Sequence, residues 1–182
     1  MEAMLERIVS GGQTGVDRGA LDGARAAGIE IGGWVPKGRK AEDGVVPASY
    51  AGMREAPVAG YLWRTDRNTV DSDATLVLWP GDPDRISGGT KRTVEFAELH
   101  GKPVRVFPLR PDLLSLGGAA LWIHENGFET LNVAGPRESK RPGCQALAAA
   151  YVAALVRQLR VLAAEDSSPG LITAAETGLE EI

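Results

Sequence analysis

The sequence predicts an α/β fold: a single domain whose sheet is mostly parallel, has about five strands and carries helices on both faces. Short apolar segments alternate with longer alanine- and leucine-rich segments along the 182 residues, which is the rhythm of strand–helix–strand units. The segment Ala74–Trp79 is a short continuous apolar run, as expected of a strand buried on both faces. Glycine-rich turns follow two of the predicted strands. Together these observations indicate an open sheet covered on both sides.

The first half of the chain contains two strands, a helix and a long loop. Leu5–Ser10 is a short apolar strand, and the helix that follows it over Val16–Ala27 is closed by Gly28. Ile29–Val35 is the second strand, and its two glycines indicate an edge or a bend. Residues 36–57 are irregular and rich in glycine and proline. A loop of that length in a compact domain is typical of a functional segment.

The second half repeats the alternation more regularly. The buried strand Ala74–Trp79 follows a helix predicted over Arg64–Ser72, and a loop over residues 80–89 comes after it. Gly101 ends the next helix, and the glycine pair at 117–118 weakens the one after that. The remaining predicted elements are helices over Thr90–His100, Pro111–Asn126 and Gly143–Ala164 and strands over Val104–Leu109 and Thr130–Ala134.

The predicted strand order is 2-1-3-4-5, a Rossmann-like arrangement with its switch point between the first and third strands. This order places the loop after strand one, Gly11–Gly15, beside the loop after strand three, which contains Ser87–Thr90. Each loop opens a helix. Glycines allow a phosphate to approach the backbone, and the first N–H groups of a helix point towards it. Alone, either loop could be a tight βα turn, but two at one crevice favour a site for an anionic ligand.

Charge and cysteine content limit the classes of function. The net charge of −4 argues against a nucleic-acid-binding protein. After Arg160 the chain has five acidic residues and no basic one, so we divide it into a ligand-binding domain over residues 1–164 and an acidic tail over residues 165–182. We recognise no targeting segment and no long apolar run, and the single cysteine excludes an internal disulfide. We therefore expect a cytoplasmic protein without membrane or nucleic-acid partners.

Basic residues collect where the predicted strands end, which is where α/β proteins bind ligands. The planar guanidinium of arginine suits oxyanions, so Arg39 and Arg137 are the favoured contacts, with Lys37 beside them. Other lysines of the same loops fit a solvated rim better than a ligand contact. No His or Cys has a spaced partner of the kind a protein metal site needs, so no metal ligands are predicted.

Polar residues of the same loops allow both a functional and a structural interpretation. Thr14 and Thr90 could bind phosphate through their hydroxyls or cap their helices. Asp17 could bind a ligand or favour the helix N-terminus through the dipole. Asn68 and Asp71, three residues apart, could share the cleft-facing side of a short helix.

Five segments resemble the molybdenum carrier protein family. They are residues 10–19, 33–44, 64–75, 88–97 and 132–139, and they lie in order within residues 5–160. This family is similar to the molybdenum cofactor carrier and is Rossmann-like, as are the lysine-decarboxylase-like phosphoribohydrolases and the DNA-processing protein DprA. The resemblance implies a phosphorylated heterocyclic ligand, either the molybdenum cofactor or a nucleotide-like molecule.

The role of Glu95 distinguishes a carrier protein from an enzyme. In the phosphoribohydrolases the motif PGGxGTxxE supplies a glutamate for cleaving the glycosidic bond of a nucleotide. Gly88, Gly89 and Glu95 match that motif, but Ser87, Lys91 and Arg92 depart from it. A nucleotide N-glycosidase that uses Glu95 is therefore the alternative, as is a nucleotide sensor that acts through a partner.

The sequence thus predicts a binding or carrier protein that holds its ligand between two glycine-rich loops, and that forms a homo-oligomer. No catalytic residue is assigned outside the alternative. The predicted ligand contacts are Gly11, Gly12, Gln13, Thr14, Gly15, Asp17, Lys37, Arg39, Asn68, Asp71, Gly88, Gly89, Thr90, Glu95, Gly135 and Arg137.

Overall fold

A parallel sheet of six strands forms the centre of the fold in the computed structural model, which describes residues 5–167. Two further strands pair antiparallel in a small hairpin outside this sheet. The strands are β1 Arg7–Val9, β2 Glu30–Val35, β3 Lys40–Ala41, β4 Gly44–Val45, β5 Met53–Glu55, β6 Ala74–Trp79, β7 Val104–Pro108 and β8 Thr130–Ala134. The order in the main sheet is β5-β2-β1-β8-β6-β7.

Five α-helices cover the sheet in two layers. They are α1 Val16–Ala26, α2 Tyr61–Val70, α3 Gly88–Leu99, α4 Leu113–Glu125 and α5 Cys144–Asp166. The first and the fourth both pack against the fifth on one face, and α2 packs against α3. Tyr151, Leu155 and other residues of α5 are fully buried in the main core between the sheet and this face. The predicted α/β class, with a mostly parallel sheet, is confirmed.

The predicted strand order 2-1-3-4-5 is wrong, because the last strand inserts between the first and the third. β8 pairs with β1 through Ile8 and Leu131, and with β6 through Leu76 and Val133. All four side chains are buried, so the most apolar strands occupy the middle of the sheet, where both faces are covered. The loop after β8 consequently lies between the two glycine-rich loops.

The long segment 36–57 is more ordered than the sequence predicts. It contains the β3–β4 hairpin and the short edge strand β5, which pairs parallel to β2. The second strand is therefore not at the edge of the sheet. Val35, Val46 and Tyr50 form a small core of their own with Leu21 of α1, and this core fixes the hairpin beside the loop after β1.

Helix α5 continues to Asp166, two residues beyond the predicted end of the domain. Of the described helices, α5 is the one that is long and apolar enough to span a membrane. Its Tyr151, Leu155 and Leu159, however, lie in the main core. Most of the predicted acidic tail, from residue 168 to residue 182, lies outside the described residues.

Candidate functional site

A cleft of about 590 Å³ opens at the carboxyl ends of the central strands. The loops after β1, β8 and β6 form its base, and one face of α2 forms a wall. Because β8 lies between β1 and β6, all three loops converge on one crevice, which is where open α/β sheets bind ligands.

The cleft brings together more than half of the residues that the sequence predicts as ligand contacts. Those that line it are Gly11, Gln13, Asp17, Asn68, Gly88, Gly89, Thr90, Gly135 and Arg137. The others lie behind these loops or on neighbouring surfaces, namely Gly12, Thr14, Gly15, Lys37, Arg39, Asp71 and Glu95.

The N-terminus of α3 faces the cleft without a side-chain cap. Ser87 is its N-cap residue and makes no capping hydrogen bond, and Gly88, Gly89 and Thr90 of the first turn line the cleft. Nothing within 4 Å would meet a Cβ at either glycine, so the space in front of this helix end is open. Uncapped N–H groups carry the positive end of the helix dipole. This end of the cleft is suited to an anion.

The N-termini of α1 and α5 are already occupied by groups of the protein. Val16 N–H donates to the Pro136 carbonyl (3.1 Å), and Gln13 N–H donates to the Asp17 carboxylate (3.3 Å). The Glu138 carboxylate accepts from Gly143 N–H and from Gln145 N–H (2.9 Å for the latter) at the start of α5. The glycine-rich loop after β1 therefore uses much of its hydrogen-bonding capacity internally.

Several glycines of the loops are required by close packing. Gly15 has φ +83°, and a Cβ there would overlap the Pro136 carbonyl. A Cβ at Gly135 would overlap the Leu78 carbonyl. Gly15 thus allows the loops after β1 and β8 to touch, at a positive φ that is costly for other residues. Gly135 allows the loop after β8 to approach β6 and the start of α1.

An ion pair lies at the inner end of the cleft. Arg64 of α2 places Nη1 3.7 Å from Asp17 Oδ2, and the two side chains are 12% and 9% exposed. The guanidinium rests against Gly11, where a Cβ would overlap it. Burial raises the pKa of Asp17, and Arg64 partly opposes that rise. Burial likewise lowers the pKa of Arg64, which the charge of Asp17 partly offsets.

Two buried donors near this pair have no acceptor among residues 5–167. The Gln13 side chain accepts through Oε1 from Thr14 N–H (3.1 Å) and Glu42 N–H (2.9 Å), which fixes the amide plane. Its Nε2 is buried without a hydrogen-bond partner, and the same is true of Arg64 Nε. Buried polar groups are almost always paired, so these two donors mark the place where a bound group would accept hydrogen bonds.

Tyr61 stands between two arginines at the wall of the cleft. Its ring centroid is 5.8 Å from the guanidinium carbon of Arg64 and 5.1 Å from that of Arg137. Both distances are within the range of cation–π contacts. Tyr61 and Arg137 line the cleft, as do Lys140 and Arg141 of the same loop.

The β3–β4 hairpin connects the loops after β1 and β8 through side-chain hydrogen bonds. The Glu42 carboxylate accepts from the Thr14 hydroxyl and from the Ser139 hydroxyl, the latter at 2.6 Å. Burial alone would raise the pKa of Glu42, but the hydrogen bonds from Ser139 and Thr14 lower it on balance. Next to it, Asp43 binds the buried Arg18 of α1 through both guanidinium Nη atoms.

The remaining predicted residues have partners elsewhere. Arg39 donates to the carbonyls of Val46 (2.9 Å) and Pro47 (3.0 Å) and so holds its own loop. Asp71 accepts from the Trp34 indole at 2.8 Å. Lys37 is exposed on a 3₁₀ turn.

Glu95 does not itself line the cleft. Its carboxylate is 2.7 Å from Nη1 of Arg92 on the same helix. Arg92, by contrast, lines the cleft.

Sequence reasoning places Asn68 of α2 at the cleft but misses Tyr61, Arg64 and Thr65. All four residues line the cleft, with spacings of three and four residues that put side chains on one face of a helix. This spacing is the available signal. The predicted helix begins at Arg64, three residues too late, so Tyr61 falls outside it. Asn132 of β8 donates to the Thr75 hydroxyl at 3.2 Å and also lines the cleft.

Comparisons with known proteins identify a family and a related solved structure. The model of the circularly permutated YpsA SLOG family matches residues 8–156, a span that includes every loop of the cleft. A 1.45 Å crystal structure of a "Putative molybdenum carrier protein" from Syntrophus aciditrophicus SB is 39% identical, with a TM-score of 0.73 over 87% of this chain and 97% of that one. No curated protein matches the chain. The first two matches confirm the resemblance predicted from the sequence.

Proposed function

Because this chain belongs to the circularly permutated YpsA SLOG family, we propose that it binds and carries a phosphorylated heterocycle in the cleft. The molybdenum cofactor is the first candidate for that cargo, since the related crystal structure is described as a molybdenum carrier protein. A nucleotide-like molecule is the second. The observation that carries the proposal is the uncapped N-terminus of α3 opposite a group of cleft arginines.

The phosphate of the ligand rests on Gly88–Thr90. Three features support this position: the first turn of α3 has no side-chain cap, its glycines leave open space, and the Thr90 hydroxyl is at the same helix end. Helix N-termini bind phosphate through their free N–H groups and the helix dipole. Arg137 supplies a guanidinium to the same cleft, and arginine binds phosphate oxygens in pairs.

The ring of the ligand lies against aromatic walls. Tyr61 and Trp79 both line the cleft, and aromatic side chains stack well on flat heterocycles. The arginines flanking Tyr61 hold its ring in place. A cleft of about 590 Å³ is within the range of small-molecule sites.

The position of Glu95 favours a carrier over an enzyme that cleaves a glycosidic bond. A general acid or base must come within hydrogen-bond reach of the bond it cleaves. The Glu95 carboxylate is paired with Arg92 and does not itself line the cleft. A carrier cleaves no bond, so it needs no such acid or base in the cleft.

The proposal is tested by native mass spectrometry of gently purified protein and by titration with nucleoside monophosphates. We expect a bound mass matching a phosphorylated heterocycle, no release of free base from any nucleotide, and a homo-oligomer. Arg137→Met should weaken phosphate-dependent binding about tenfold or more, since a charge-assisted hydrogen bond contributes about 1.5–3 kcal/mol. Arg85→Met is the matched control, because Arg85 is close in sequence to α3, 86% exposed and outside the cleft.

Three results would count against the proposal. Release of free base that Glu95→Ala abolishes would favour the glycosidase. If Arg137→Met and Arg85→Met weakened binding equally, the cleft would not be the binding site. A ligand-dependent change of assembly that requires residues 168–182 would favour a sensor acting through a partner.

A further inference from the structure

We propose that the inner end of the cleft, formed by Gln13, Asp17 and Arg64, recognises a ring edge on which an N–H group stands beside a carbonyl oxygen. Guanine and pterins carry this edge together with an adjacent amino group, whereas adenine does not. The inference rests on the proposed function, since it concerns the heterocycle of the ligand whose phosphate lies at α3.

The donors of this inner end require an acceptor. Gln13 is 4% exposed, and its Oε1 is held by two backbone N–H groups, so Nε2 is turned away from them. Neither Gln13 Nε2 nor Arg64 Nε has a hydrogen-bond partner among residues 5–167, and both residues line the cleft. Both nitrogens are themselves buried, so a carbonyl oxygen of the ligand would satisfy them once the two side chains turn towards the cleft. Buried donors are costly to leave unpaired.

The acceptor of the inner end is Asp17. It is 7% exposed and lines the cleft. Its contacts through Oδ2 are long, 3.3 Å to Gln13 N–H and 3.7 Å to Arg64 Nη1. An ionised carboxylate has about four acceptor positions, so it can accept further hydrogen bonds from a ring N–H and an amino group.

Donor and acceptor together select one pattern of ring edge. A guanine-type edge presents amino, N–H and carbonyl groups in sequence, which complements a carboxylate beside an amide or guanidinium donor. Adenine presents a ring nitrogen lone pair towards the carboxylate and no carbonyl to the donors. A site built to hydrogen-bond a group rejects an analogue that lacks it, because its own buried groups are then unpaired.

The distance between the two ends suits a single mononucleotide-sized ligand. The inner end follows β1 and the α3 N-terminus follows β6, with β8 between them. Neighbouring strands are about 4.8 Å apart, so the carboxyl ends of β1 and β6 are separated by about 10 Å. That separation is comparable with the reach from the phosphate to the far edge of the base.

The test is calorimetric titration of the full chain with GMP, AMP, ribose 5-phosphate and neopterin monophosphate. We expect GMP to bind about 100-fold more tightly than AMP, as two buried hydrogen bonds at about 1–1.5 kcal/mol each would require. AMP should bind about as ribose 5-phosphate does. The affinity of neopterin monophosphate relative to GMP distinguishes a pterin ligand from a guanine ligand.

The Asp17→Asn variant tests whether the selectivity for GMP over AMP arises at the inner end of the cleft. We expect the ratio of GMP to AMP affinity to fall to within about threefold, with thermal unfolding showing that the variant is folded. Equal affinities of the wild-type protein for GMP and AMP would overturn the inference and leave the proposed function standing. If none of the four compounds binds and native mass spectrometry finds no phosphorylated heterocycle on the purified protein, the proposed function fails with it. The wild-type series decides both questions even if the variant does not fold.

Discussion

Among single residues, Arg64 and Asp17 have the clearest energetic consequence. Their charged atoms are 3.7 Å apart and their side chains are about one-tenth exposed, so both charges are largely desolvated. Burial raises the pKa of Asp17 and lowers that of Arg64, and in each case the partner opposes the shift. A buried pair of this kind is weak evidence for stability, which fits a pair retained for ligand binding.

Arg64→Met should destabilise the protein by about 3 kcal/mol at pH 7, because it leaves the Asp17 carboxylate buried without its partner. A carboxyl whose folded pKa is raised binds protons more tightly when folded, so its cost is present above that pKa and is relieved as the pH falls. Removing Arg64 raises this pKa further. The loss in unfolding free energy, measured by urea titration, should therefore be smaller at pH 5 than at pH 7.

Arg67→Met is the matched control, since Arg67 is on the same helix and pairs with Asp71 at 2.9 Å with side chains 42% and 33% exposed. Exposed pairs contribute about 0–1 kcal/mol. If both variants lost the same stability, or if the loss in Arg64→Met did not depend on pH, Arg64 and Asp17 would not form a desolvated ion pair.

At the same scale, the sequence identified the glycine-rich loops but not how each is used. Gly15 is required where the loops after β1 and β8 touch, and Gly135 where the loop after β8 approaches β6; both contacts depend on β8 lying between β1 and β6. Gln13 is recognisable as a loop residue, whereas its unpaired Nε2 follows from a hydrogen bond to Glu42, 29 residues away. Such roles depend on tertiary contacts, which local pattern does not encode.

At the scale of elements, the β3–β4 hairpin determines how the cleft loops are held. Its Glu42 joins Thr14 of the loop after β1 to Ser139 of the loop after β8, and its Asp43 binds Arg18 of α1. The hairpin has two residues in each strand, so its own ladder is too short to be stable. Side-chain bonds and a small apolar core hold it instead.

Glu42→Gln should loosen this hairpin. Glutamine replaces one acceptor oxygen by an amide that cannot accept from Ser139, so amide hydrogen exchange should accelerate across residues 36–52. Since hydrogen bonds lower the pKa of Glu42, its contribution is present above the unfolded pKa and is lost as the pH falls through the folded pKa. The difference in exchange between wild type and variant should thus shrink at low pH.

Glu55→Gln serves as the comparison, because Glu55 accepts from Gly38 N–H at an exposed position of the same segment. Faster exchange confined to residues 36–40 is expected for that variant. Unchanged exchange in Glu42→Gln would mean that the apolar core alone holds the hairpin.

The major elements were predictable because their signals are local. Gly28 and Gly101 mark helix ends, and Ala74–Trp79 is apolar along its whole length. The edge strand β5 was missed, since its three residues are partly or fully exposed and lack a buried alternation. The hairpin was missed because strands of two residues carry no periodicity.

For the whole molecule, strand order was the property that local patterns could not supply. Sequential strands are often neighbours, yet β8 crosses over β6 to reach β1. The consequence is functional, because a third loop enters the cleft between the two that were predicted. That loop carries Arg137, Lys140 and Arg141 into the site.

The cleft is cationic although the chain has a net charge of −4. Five basic side chains line it, and among the described residues Asp17 is the one acid that does. We expect Lys140→Met together with Arg141→Met to weaken GMP binding about tenfold in low salt, and less in 0.5 M NaCl, where screening shortens the Debye length to about 4 Å. Both residues are exposed, so the loss should fall mainly on the association rate.

The ratio of GMP to AMP affinity should stay constant in that double variant, because Lys140 and Arg141 attract the phosphate common to both nucleotides. Lys91→Met, on α3 outside the cleft, removes one positive charge and is expected to change binding little. Stopped-flow association and equilibrium titration across salt concentrations measure both quantities. A changed selectivity ratio would mean that these residues touch the ring, and the division of the cleft into a phosphate end and a ring end would have to be redrawn.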